Sequence, residues 1–175
     1  PLHADTIAAS DYTVLEFGGN DCDFNWAEVA ADPAAHHEPH TPLRLFQETY
    51  ARIITKVRDL GGTPLLLNLP PIDPKRYFRW ISRGLNADNI LQWLGGSDSY
   101  IYRWHEMYNI CVHRIAEVMR VPLIDIRSAF LLRTNYSTLL CDDGIHPNEA
   151  GHRLISQTLS GTVAAFSRRA AGLTP

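Results

Sequence analysis

The chain has 175 residues, 45% of them hydrophobic and 20% charged, with a formal net charge of −3 at neutral pH. That length suits one domain, residues 1–175, and lets it bury roughly 70% of its unfolded surface without a disulfide or metal staple. Scattered Lys and Arg residues give no electrostatic footprint for nucleic acid or an anionic membrane, and no apolar run approaches the ~18 residues of a membrane span.

The sequence opens "PLHADTIAASDYTVLEF", without an initiator Met, and reaches an apolar run almost at once. That run, "YTVLEF" (residues 12–17), is rich in β-formers and reads as a buried strand, with "GGND" (18–21) directly after it. Thr41 and Pro42 then give a cap and first-turn signal. Phe46, Tyr50, Ile53, Ile54, Val57 and Leu60 recur at helical spacing until Gly61, which predicts an amphipathic helix. A second strand follows in "TPLLLNL" (63–69).

Residues 70–98 are longer than an ordinary connection and carry Tyr77, Phe78, Trp80 and Trp93. Two readings stay open for them: a flap over a site, or aromatics that seal a second small core. After "GGSDS", Ile101, Trp104, Tyr108, Val112, Ile115 and Met119 predict another helix. "VPLIDI" (121–126) predicts a third strand, and residues 154–166 a closing helix.

Strand and helix therefore alternate, which calls for right-handed crossovers and a parallel sheet with helices on its faces. In such α/β folds functional loops lie beyond the carboxyl ends of the strands, where "GGND" and "DDGIHPN" (142–148) both fall. Three cysteines (Cys22, Cys111, Cys141), with no CxxC pair, suit free thiols in a reducing compartment, so the cytoplasm is the expected location.

Asp143 and His146 are the first candidates for chemistry. A carboxylate that accepts the Nδ1 proton of an imidazole fixes its tautomer and leaves Nε2 free to deprotonate a hydroxyl. The plain alternative is a turn at Asp143-Gly144, with Pro147 starting the last helix. In "GGND" the glycines allow close backbone approach, and the Asn20 amide is suited to donate to a developing oxyanion; Asn and Gly are also ordinary turn formers. "HHEPH" (His36, His37, Glu38, His40) holds metal-ligand residue types, but Pro39 and the lack of helical i, i+4 spacing favour a solvated loop. Cys22 beside Asn20 is either a thiol nucleophile paired with His146 or a small buried residue. Asp21 and Asp23 read as supports of the loop.

"FGGND" after one strand and "DGIHPN" after a later one together resemble two motif segments of the SGNH, or GDSL-type, hydrolases. The resemblance runs from Tyr12 to the final helix. It implies a three-layer α/β/α sandwich with a flavodoxin-like parallel sheet, and serine-dependent hydrolysis of esters, such as acyl groups on lipids or sugars, without metal or organic cofactor. By motif, Asn20 resembles the oxyanion donor, Gly18 its backbone support, Asp143 the orienting acid and His146 the general base.

The family's nucleophilic serine lies in a "GDS" segment upstream of these motifs, and this sequence contains no GDS. Ser10 precedes the first strand and would lie at the wrong end of the sheet; Ser97 and Ser99 fit helix capping. The sequence thus reads as the later part of such a hydrolase, without its first strands, nearly inactive alone and with an unpaired sheet edge that invites self-association. The rival is a noncatalytic domain that binds an acyl or glycan ligand on the same fold.

Overall fold

A computed structural model describes residues 3–170, with side chains through Ala165; Pro1 and the side chain of Phe166 lie outside the described residues. All three expected strands form, each shorter than its apolar run. β1 (Thr13–Leu15), β2 (Pro64–Leu67) and β3 (Leu123–Ile124) pair in parallel in the order β1-β2-β3, with Thr13 opposite Pro64 and Leu66 opposite Leu123. The third run ends early because Asp125 accepts the N–H of Ser128 at 2.9 Å and caps a short helix, α7 (Ile126–Leu131). Ile126, expected in the strand, is therefore helical.

The central strand is buried on both faces, as its unbroken apolar run requires. Leu66, with Leu15 of β1, faces α3 (Leu43–Asp59) and α6 (Ser99–Met119), meeting Phe46, Tyr50 and Ile54 from the first and Tyr108, Val112 and Ile115 from the second. Leu65, Leu67 and Ile124 face the other way, onto Ile155, Leu159 and Val163 of α8 (Glu149–Ala170). Helices cover both faces, giving the three-layer α/β/α arrangement. Each fully buried Leu or Ile contributes roughly 1.5–3 kcal/mol.

Two helix starts differ from expectation. Thr41 does not cap α3 with its side chain; its carbonyl instead accepts the Tyr108 hydroxyl at 2.6 Å. The last helix begins after Pro147, with Asn148 Oδ1 accepting the N–H groups of Ala150 (3.0 Å) and Gly151 (3.1 Å).

A second core lies beside the sheet, built by α2 (Trp26–Ala31), α4 (Pro74–Ile81) and α5 (Ala87–Trp93). Phe24, Trp26, Val29, Tyr77, Ile90 and Leu94 are buried in it, and Trp93 stacks edge-on against Phe24 with 4.8 Å between ring centres. The aromatic segment 70–98 thus supplies much of this core. Among the described residues β1 has a strand partner on one side only. Val14 on it and Phe17 just after it are 43% and 42% exposed. No described helix is long and apolar enough to cross a membrane.

Candidate active site

β1 leads at its carboxyl end into the loop that carries residues 18–23. Gly18 takes φ +134°, a conformation that L side chains rarely adopt, and a Cβ there would also press on the Leu69 side chain at 3.0 Å, so the position favours glycine chiefly on conformation. The loop is tied down along its length. His40 Nδ1 donates to the Asn20 carbonyl (3.1 Å), His40 N–H to Asp23 O (2.7 Å) and Thr41 N–H to Asp21 O (2.9 Å). "HHEPH" thus folds back as a brace on "GGND". The two carboxylate oxygens of Asp23 accept from Trp26 Nε1 (2.8 Å) and the Tyr77 hydroxyl (2.7 Å), the supporting role expected of it.

The loop before α8 presents the second pair. Asp143 Oδ1 accepts the N–H groups of Ile145 (2.9 Å) and His146 (3.0 Å), and Oδ2 lies 2.7 Å from His146 Nδ1. Burial raises the Asp143 carboxyl, but the His146 imidazole and the two backbone donors outweigh it and hold it below the ordinary carboxylate value. An ionised Asp143 can only accept, so Nδ1 is the donor, the tautomer that in a neutral imidazole leaves the lone pair on Nε2. The carboxylate is 14% exposed and the imidazole 65%, so the acid is enclosed while the base stays open to a reactant.

Helix α4 joins the two loops. Its Tyr77 holds Asp23, while the Asp73 N–H donates to Gly144 O (2.8 Å) and Arg76 Nη1 donates to the carbonyls of Ser137, Leu140 and Cys141 at 3.0–3.3 Å. Gly144, at φ +81°, has Asp73 O and Tyr77 N within 2.9 Å of where a Cβ would stand.

Gly18, Asn20 and His146 line one cavity of about 460 Å³. Its walls are mostly apolar, with Leu67, Leu69, Ile101, Ile126, Ile145 and Ile155 among them, and among the described residues no Ser or Thr lines it. Cys22 does, but its thiol donates to Gly19 O (3.2 Å), and burial, reinforced by Asp23, pushes it up to about 12. It is therefore a neutral thiol at ordinary pH, not a thiolate nucleophile. Ser10 donates to Thr6 O (2.6 Å) ahead of β1, at the opposite end of the sheet, and Ser97 and Ser99 bond to each other.

Among the described residues no three His, Cys, Asp or Glu side chains gather as a metal site would need. His37 is engaged with Asp32 O (2.8 Å) and His40 with Asn20. Reading the sequence missed His40 as a brace and His105 altogether. The latter lies four residues after Ile101 and three before Tyr108, a polar residue on the helix's apolar stripe, and that was its only signal.

The family model of the GDSL-like lipase/acylhydrolase family matches residues 2–154. The chain belongs to that family. As a GDSL-like lipase/acylhydrolase member it shares its fold with solved structures. A lipase/acylhydrolase from Enterococcus faecalis is 16% identical, with a TM-score of 0.62 over 90% of this chain and 63% of its own. A variant of an acetyl-xylooligosaccharide esterase from Geobacillus stearothermophilus is 23% identical, with a TM-score of 0.59 over 89% and 60%. A GDSL-like lipase from Bacteroides thetaiotaomicron is 12% identical, with a TM-score of 0.58 over 90% and 63%. This GDSL-like chain thus spans about three fifths of the length of each. No curated protein matches it.

Proposed function

We propose that this chain carries the oxyanion-stabilising and acid–base parts of a serine-dependent ester hydrolase. The observation that carries this reading is the shared cavity: Asn20 and His146 line the same space, and His146 is paired to Asp143 at 2.7 Å. In the proposed reaction, His146 Nε2 removes the proton of a serine hydroxyl as that oxygen attacks the ester carbonyl. Asp143 stabilises the imidazolium, and the Asn20 amide and Gly18 backbone hold the developing oxyanion. The imidazolium then protonates the leaving alcohol, and a water molecule hydrolyses the acyl-enzyme by the same relay.

No serine is among the described residues that line the cavity. The isolated chain should accordingly be nearly inactive, since loss of such a nucleophile costs about a millionfold in turnover. Acyl groups on a sugar or lipid are the proposed substrates, in line with the acetyl-xylooligosaccharide esterase among similar folds. Free thiols at Cys22, Cys111 and Cys141 favour a cytoplasmic setting, and the open edge of β1 favours self-association.

The experiment is to express the gene's whole reading frame and assay short p-nitrophenyl esters. His146→Ala should abolish turnover, and Asn20→Ala should lower it about a hundredfold or more, as loss of an oxyanion donor does. Unchanged turnover in His146→Ala would overturn the assignment. A serine-free cavity also fits a noncatalytic acyl- or glycan-binding domain; ligand binding without turnover by the whole product would favour that second reading.

A further inference from the structure

The cavity wall holds a polar group that the proton relay does not use. His105, on the buried side of α6, is 5% exposed and lines the same cavity as Asn20 and His146. Its Nδ1 is sealed from solvent with no hydrogen-bond partner among the described residues, and the neighbouring indole Nε1 of Trp104 is equally unpartnered. Both of those nitrogens are enclosed, so a ligand in the cavity meets His105 through its other ring nitrogen, Nε2, which has no hydrogen-bond partner among the described residues. A polar group left unpaired in such a wall costs about 1–3 kcal/mol, which a ligand oxygen would recover.

The surroundings narrow what the occupant is. Burial, then the Arg127 charge, lower the His105 imidazole to about 3, so it is neutral at ordinary pH, with one N–H donor and one acceptor. Arg127 itself seeks nothing. It is paired with Glu106 (2.6 Å) and donates to the carbonyls of Leu69 (3.2 Å) and Pro70 (3.3 Å) and to the Tyr102 hydroxyl (2.6 Å). Leu69, Ile72, Leu94 and Ile101 line the same cavity and would strip water from a charged ligand group without repaying it, and Glu16, Asp21 and Asp23, also in its lining, disfavour an anion.

We infer that His105 is a specificity-determining residue, which receives an uncharged carbonyl or hydroxyl oxygen on an otherwise apolar part of the ligand. It acts by hydrogen bonding and takes no part in proton transfer. The inference deepens the hydrolase reading and rests on it only for placing the ligand in this cavity.

The test reads binding to the 175-residue chain, without turnover. Benzylacetone serves as a ketone probe that cannot be hydrolysed, butylbenzene as its oxygen-free isostere and hydrocinnamate as its carboxylate isostere. Affinities come from ligand titrations, and ring ¹⁵N spectra of histidine-labelled protein report hydrogen bonding at His105 directly. Benzylacetone should shift the His105 ring ¹⁵N signals and bind more tightly than hydrocinnamate. His105→Leu should weaken benzylacetone about tenfold, the scale of one lost hydrogen bond, while leaving butylbenzene within about twofold. Unmoved His105 signals at saturation would overturn the inference in the native chain, whether or not the variant folds. So would an affinity loss on Asn20→Ala with none on His105→Leu. Either result leaves the assay of His146→Ala to judge the hydrolase reading by itself.

Discussion

The hydroxyl of Tyr77 donates to Asp23 at 2.7 Å across 54 positions of sequence, and through that bond α4 holds the loop that carries Asn20. The same helix holds the loop of His146 through Asp73 and Arg76. One element therefore sets the spacing of the two candidate groups, although it contributes no group to the proposed chemistry.

Removing that tie should be costly. Tyr77→Phe leaves Asp23 Oδ2 without its partner in a half-buried setting, which costs about 1–3 kcal/mol. Urea denaturation measures it. A loss under about 0.5 kcal/mol would show that the bond does not hold the loop.

Gly144 and Gly61 have nearly the same backbone conformation, φ +81° and +82°, but only Gly144 is enclosed. Gly61→Ala should cost about 1 kcal/mol, the left-handed conformation alone. Gly144→Ala adds a clash with Asp73 O and Tyr77 N and should cost at least twice that. Thermal denaturation of the pair checks the contrast, and equal losses would rule out the close packing of α4 on the His146 loop.

Asp143 is held below the ordinary carboxylate value in the fold, so the unfolded chain binds its proton more readily. Its contribution is present above the unfolded value of about 4 and is lost as the pH falls through the lowered folded value. Asp143→Asn should therefore lower stability by roughly 1–2 kcal/mol at pH 7, the scale of hydrogen bonds to a charged group, and by much less near pH 2. Denaturant midpoints of both proteins at the two pH values test the sign.

His105 gives a second acid-sensitive contribution of the same direction. Its folded value of about 3 lies below the unfolded value of about 6.5, so stability is full above pH 6.5 and declines as the pH falls toward 3. His105→Leu abolishes that decline. The variant's advantage over the native chain should grow steadily between pH 6.5 and 4 in parallel melts, and a constant difference would mean that His105 is not held neutral.

The sequence by itself determined the layered α/β plan. Short Val-, Ile- and Leu-rich runs alternating with helical stripes admit little else, because a strand buried on both faces needs helices above and below it. It also determined Asp143 and His146 as a pair, since their contact is closed within one loop of four residues. Strand ends were not legible, because Asp125 turns an apolar run into a helix by a cap that competes with the ladder. The common position of Asn20 and His146 beyond the strands' carboxyl ends was expected from the alternation and the motif resemblance, but the one cavity they line, the bracing of Asn20 by His40 and the tie of Tyr77 to Asp23 were not legible. Those depend on side chains 20 to 126 positions apart, and only the packing of the second core against the sheet's carboxyl edge brings them together.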